Sequence, residues 1–291
     1  MVTLADIERE VAARVGPYRR ETASGGTATT AVVAALQSTI DLGDVADLYL
    51  LRRSASAGDR QRIVKDYTPA TGTLTVDRTW SSAPAAGEVV ELHHLDPAGE
   101  LRPAVQAGLR RCFFVDRASV TLTEVATERD LTALLPWITD PTQVYEVMRQ
   151  YVGAYYPPVV VHWWKAFTRG GHVWLRLWPD PYPNALYVDA RRSAASWVKP
   201  VGEDEYSDST TGPTDDDDEV EVSLDYAAAA GHIEAWRRCG PRLQPVAQTG
   251  LYPAQSVAAA VLTEMAAKQF HPPVRRTQMP EPFGMYEVQR P

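Results

Sequence analysis

Six histidines, two cysteines and one dense run of carboxylates are the residues here with the chemistry to hold a metal, attack a substrate or move a proton. Their spacing argues against all three. His93 and His94 are adjacent on an expected strand, so they point to opposite faces and are poorly placed to share one ion. His162 and His172 fall on neighbouring expected strands and could meet across a sheet, but no third ligand accompanies them. Cys112 and Cys239 give neither a zinc pattern nor a disulfide framework, and are expected as buried free thiols in a reducing cytosol, with a single bridge as the alternative. The run Asp215, Asp216, Asp217, Asp218, Glu219 lacks the glycine and the spacing of a calcium loop. There is no G-x-S-x-G elbow, P-loop, H-E-x-x-H or dinucleotide fingerprint. The expectation is a chain with no catalytic residue, no cofactor and no metal, and not an enzyme.

The acid is unevenly spread. The net charge is −8, yet residues 203–219 alone carry nine carboxylates and no base, so the remainder sums to +1. Such a body is a poor phosphate-backbone binder, which needs clustered Lys and Arg. Asp215 to Glu219 therefore read as a solvated loop. In a ring assembly they could instead face a DNA channel, where negative charge keeps DNA from sticking. A second group is aromatic. Trp163, Trp164, Trp174 and Trp178 cluster on two expected strands, either as core, as a protein interface or as an exposed platform for sugar rings. Alternation puts Trp174, Arg176 and Trp178 on one face and Val173, Leu175 and Leu177 on the other. The third group lies in the last 21 residues, with five prolines. Arg275, Arg276, Met279, Phe283, Met285 and Tyr286 suit either a disordered end or an extended arm ordered against a neighbouring subunit.

These residues need a frame of 291 positions, 45% hydrophobic, enough to bury a core without disulfide or metal. No run approaches 18 apolar residues, so no membrane helix is expected, and the first residues do not read as a secretory signal. Thr3 and Asp6 predict a cap, and Leu4, Ile7, Val11 and Val15 form one stripe ended by Gly16-Pro17. Further helices are expected over 97–112, 225–239 and 253–270, the last with Val257, Val261, Leu262 and Met265 inward. Short strands fill 31–95, and longer ones 114–202. The predicted fold class is α+β: a helical bundle with an inserted small β-barrel and an antiparallel β-sandwich or sheet. The bundle takes 1–30, 96–113 and 223–270, and the barrel-like insertion takes 31–95. The antiparallel β-domain takes 114–202, the acidic loop 203–222 and the C-terminal arm 271–291.

Several stretches then carry a likeness. Gly72-Thr73-Leu74-Thr75-Val76-Asp77-Arg78-Thr79-Trp80, Pro84, Gly87-Glu88 and Leu95-Asp96-Pro97 lead into Leu101-Arg102-Pro103-Ala104-Val105 and a helix. Leu134-Leu135-Pro136-Trp137-Ile138, Tyr145-Glu146-Val147-Met148, Trp178-Pro179 and the Ala-rich stretch Ala227–Ala235 follow. Over roughly residues 70–240 this rhythm resembles tailed-bacteriophage head–tail connector proteins, closest to the adaptor or tubular proteins of short-tailed phages. The resemblance implies a structural virion protein made in the bacterial host cytoplasm and placed in the neck between capsid and tail. It implies a homo-oligomeric ring of about twelve copies that contacts the portal and a tail or neck protein. Double-stranded DNA would pass through its channel without sequence-specific binding, and no membrane is involved. Another tail or baseplate protein, or a carbohydrate- or receptor-binding module with Trp163 or Trp174 exposed, are the alternative readings.

Overall fold

In the computed structural model the described residues are 2–37, 45, 47–121, 127–150, 159–161, 164–177 and 185–248, with 255, 256, 259, 260, 263 and 264. Among the described residues strands dominate, at 37%, in four sheets of which none is closed. The expected helical bundle with an inserted barrel is therefore corrected. Three helices do pack on one another, but a small sheet completes their core, and strands build the rest.

The first helix, Leu4–Val15, starts where Thr3 Oγ1 accepts from Asp6 N at 3.2 Å and Asp6 returns the bond in a capping box. Leu4, Ile7, Val11 and Val15 are buried. The second, Arg102–Leu109, follows a wide turn that Asp96 starts by accepting from Ala98 N and Gly99 N. The third, Leu224–Gln248, breaks at Cys239. The expected stop at Gly240-Pro241 is instead a kink. Pro241 sits in the first turn of the next helical piece, where its missing N–H leaves no bond unmade. These helices share one core with Val198 and Val220 from a four-stranded sheet. Its order is Val2–Thr3, Glu219–Val220, Trp197–Lys199, Ser207–Asp208.

A seven-stranded antiparallel sheet holds the second core, around Leu50, Val64, Leu74 and Trp80. Its end strands, Tyr18–Thr22 and Gly25–Thr27, are separated only by Ala23 and Ser24. They run on from each other and do not pair, so the sheet stays open; the barrel expected over 31–95 is not formed. The loop after Thr73–Val76 is strapped down. Asp59 accepts from Ser81 Oγ (2.6 Å), Ser81 N (2.9 Å) and Ser82 N (2.8 Å), bonds that hold its carboxyl down to about 2. Trp80 is buried against the Arg52 and Arg62 guanidiniums, 5.3 and 5.9 Å from its ring centre.

The third core lies between two sheets. One has the order Val159–Val160, Val144–Gln150, Ala185–Ser193, Phe113–Thr121. The other has Glu128–Asp130, His172–Leu177, Trp164–Arg169. Val120, Val147, Leu186 and Val188 face Ala166, Val173, Leu175 and Leu177. The expected helix over 253–270 lies mostly outside the described residues; positions 255, 256, 259, 260, 263 and 264 are helical and exposed.

Candidate functional site

The acidic segment is not the free loop that its composition suggests. Asp216 and Asp218 are buried, Glu219 is half-buried, and Asp215 and Asp217 are exposed. Backbone geometry explains the split. The carbonyls of Asp218 and Asp216 accept from Leu4 N and Ala5 N, both at 2.9 Å, satisfying free N–H groups at the start of the first helix. Asp218 Oδ2 accepts from Thr214 N (2.7 Å) and Asp215 N (2.9 Å), and Oδ1 from Val201 N (3.2 Å). Glu219 lies in a strand, with its carboxylate 3.6 Å from Lys199 Nζ.

Asp216 is one pole of a buried ion-pair joint. It pairs with Arg53 Nη1 (3.2 Å), Arg60 Nη2 (3.3 Å) and Arg102. Arg102 Nε also bonds Glu8 Oε1 at 2.6 Å, and Arg53 Nη1 bonds Glu8 Oε2 at 2.8 Å. Arg53 Nε lies 3.1 Å from Glu91 Oε2, and Arg9 Nε donates to Glu91 Oε1 at 2.9 Å. His93 Nε2 closes on Glu91 Oε2 at 3.1 Å. The joint ties the first helix, the seven-stranded sheet, the second helix and the acidic segment together. Burial pushes the Glu91 carboxyl up, but the His93 hydrogen bond and the Arg53 and Arg9 guanidiniums outweigh it and hold it far below the usual carboxylate range. Burial also acts against the charged form of Asp216, and the Arg53, Arg102 and Arg60 charges more than reverse that. Each of these guanidiniums holds at least one carboxylate, so the joint clamps the elements that carry them. Its one sequence signal is Glu8, set on the apolar stripe between Ile7 and Val11. Nothing in the sequence marks Asp216 as its partner.

The outward carboxylates remain. Glu203, Asp204, Glu205, Asp208, Asp215 and Asp217 are all exposed. The two parts of this ridge meet where Val201 N bonds Asp218, above an open cleft of about 430 Å³ lined by Arg9, Arg53, Arg60, Val201, Asp215 and Asp217. The ridge is acid held on a built floor. Asp218→Ala is expected to destabilise the chain by about 1–3 kcal/mol, because three backbone N–H groups lose their acceptor. Asp217→Ala should stay within about 0.5 kcal/mol. Urea midpoints of the two variants check the contrast.

Of the four tryptophans, the two described ones lie on opposite faces of their sheet. Trp164 pairs with Leu177 and packs on the sandwich core, whereas Trp174 pairs with Phe167 on the opposite, outer face. Arg169 lies over the Trp174 ring at 3.7 Å, and Trp174 Nε1 donates to Arg169 O at 3.2 Å. Ion pairs lie on the same face: Arg176 and Arg169 hold Glu128, and His172 Nδ1 lies 2.7 Å from Asp130 Oδ2. Trp163 and Trp178 lie outside the described residues, as do His162, Arg275, Arg276, Met279, Phe283, Met285 and Tyr286.

Cys112 and Cys239 are free and buried, and burial pushes the Cys112 thiol up to about 12, away from nucleophilic use. Among the described residues no three His, Cys, Asp or Glu side chains are gathered to hold a metal ion. No described helix is long and apolar enough to cross a membrane. No family model matches the chain, and neither a curated protein nor a solved structure matches it.

Proposed function

We propose that the chain is a structural virion protein that closes into a ring-shaped head-to-tail connector, joins portal to tail and extends the DNA channel. The observation that carries this reading is the anchored acidic ridge. Six carboxylates per copy are exposed on a segment whose buried Asp216 and Asp218 fix it to the first helix. Repeated around a ring, such a ridge makes a smooth negative wall that repels phosphate and lets duplex DNA slide. The rhythm of residues 70–240 supports the same reading, and so does a fold that uses its arginines within the chain. The carbohydrate-binding alternative rests on Trp163 or Trp174; Arg169 covers the Trp174 ring, and Trp163 lies outside the described residues.

The test is genome release. Particles built with Asp215→Asn and Asp217→Asn are expected to assemble normally, because both side chains are exposed and lie outside the buried joint. They should release DNA more slowly, and the defect should shrink as salt rises. Unchanged release at low salt would take the ridge out of the channel and remove the main support for this reading.

A further inference from the structure

The longest strand at a sheet edge in the described fold is Phe113–Thr121. It is nine residues long and pairs only with Ala185–Ser193, leaving its other side without a described strand. Such an edge is a template for an added strand. A groove of about 420 Å³ opens beside it, lined by Phe114, Val115, Tyr206, Val220, Val222 and Ser223. Val115 is 42% exposed, although it is apolar. Ser223 Oγ is buried there without a hydrogen-bond partner. The rim is acidic. Burial and the nearby Glu219 and Glu221 push the Tyr206 hydroxyl up. Glu203, Asp204, Glu205 and Asp208 flank Tyr206 in the chain.

The occupant this surface fits is apolar, extended and basic. Residues 271–291 hold that chemistry. Prolines 272, 273, 280 and 282 rule out a continuous helix. Between Pro282 and Pro291 lies Phe283-Gly284-Met285-Tyr286-Glu287-Val288-Gln289-Arg290, eight residues free of proline, with the strand formers Phe283, Tyr286 and Val288. Arg275 and Arg276 precede it by six residues, which include one acid, Glu281. From the described helical residue Glu264 to Phe283 the chain reaches at most roughly 60 Å, enough to cross to another subunit. An arm on one surface and a groove on another make a heterologous contact, the kind that closes rings.

We propose that Phe283–Arg290 of one copy adds as a strand to the Phe113–Thr121 edge of the next, with its apolar side chains in the groove and Arg275 and Arg276 on the acidic rim. This rests on the ring reading and names the contact that closes the ring.

Cysteine cross-linking in the full chain tests it. Val115→Cys and Tyr286→Cys are made separately, mixed before assembly and oxidised, with the unsubstituted chain as control for its own thiols. Native mass is read on the same samples. The expected result is a covalent heterodimer from the mixture and a ladder of covalent oligomers from the double variant. In addition, Val115→Asp, at an exposed position that should not disturb folding, is expected to raise the concentration for half-assembly about tenfold. Rings without cross-links, and unaffected by Val115→Asp, would overturn the arm contact and leave the ring reading standing. A cross-link within single chains only would also overturn it, because the arm would then lie on its own groove. A chain that neither assembles nor cross-links would overturn both.

Discussion

Arg53→Ala is expected to cost roughly 3–5 kcal/mol of folding stability, the range for removing one partner of a buried ion pair. Arg53 stands between Glu8, Glu91 and Asp216, and both Glu8 and Glu91 are only 2% exposed at the side chain. The alanine variant would leave those carboxylates underpaired in the interior. Arg9→Ala should cost far less, about 1 kcal/mol, because Arg9 is more exposed and Glu91 keeps Arg53 and His93. The joint also sets an acid limit. Glu91 and Asp216 both titrate below their ordinary values in the folded chain. Their contribution is fully present above the unfolded carboxylate range, near pH 4, and is lost as pH falls through the lower folded values. Denaturant melts from pH 7 to pH 3 should show stability falling with acid in the natural chain, and a shallower fall in Arg53→Ala. Equal slopes would mean that Arg53 does not hold those carboxylates charged.

Gly108→Ala should destabilise by about 1–3 kcal/mol, although alanine is the better helix former. The second and third helices cross where Gly108 meets Gly231. A Cβ on Gly108 would lie 2.5 Å from Gly231 N and 2.7 Å from Ala230 C. Those are backbone atoms of a packed helix and cannot turn aside, so the helices must separate. A Cβ on Gly231 would instead meet Val11 Cγ2 at 2.8 Å, a side-chain atom, so Gly231→Ala should cost less. The sign of the Gly108 effect decides the matter. Stabilisation in a urea melt would mean that the two helices do not approach this closely.

Local signals were legible before any coordinates. The Thr3–Asp6 cap, the Leu4–Val15 stripe and the Asp96-Pro97 start follow from short-range chemistry, and each is found where the residues place it. So does the alternation in His172–Leu177, which buries Val173, Leu175 and Leu177. What failed depends on distant partners. The acidic run looked solvated, because composition does not show that Arg102, 114 positions away, reaches Asp216. Register separates Trp164 from Trp174, while Trp163 and Trp178 lie outside the described residues. Pairing Trp164 with Leu177, rather than with a neighbour one residue along, turns Trp164 inward. The bundle and barrel failed for a related reason. Apolar stripes report that helices bury a face, not that helices alone surround it, and strand count does not say whether a sheet closes.

The central claim is a closed ring, and the most direct measurement is the native mass of the purified full chain, with negative-stain images of the same sample, alone and with a portal protein. The account predicts a single species of about twelve copies with a central opening wide enough for duplex DNA, formed alone or on the portal template. A monomer at every concentration that stays monomeric beside the portal would contradict it.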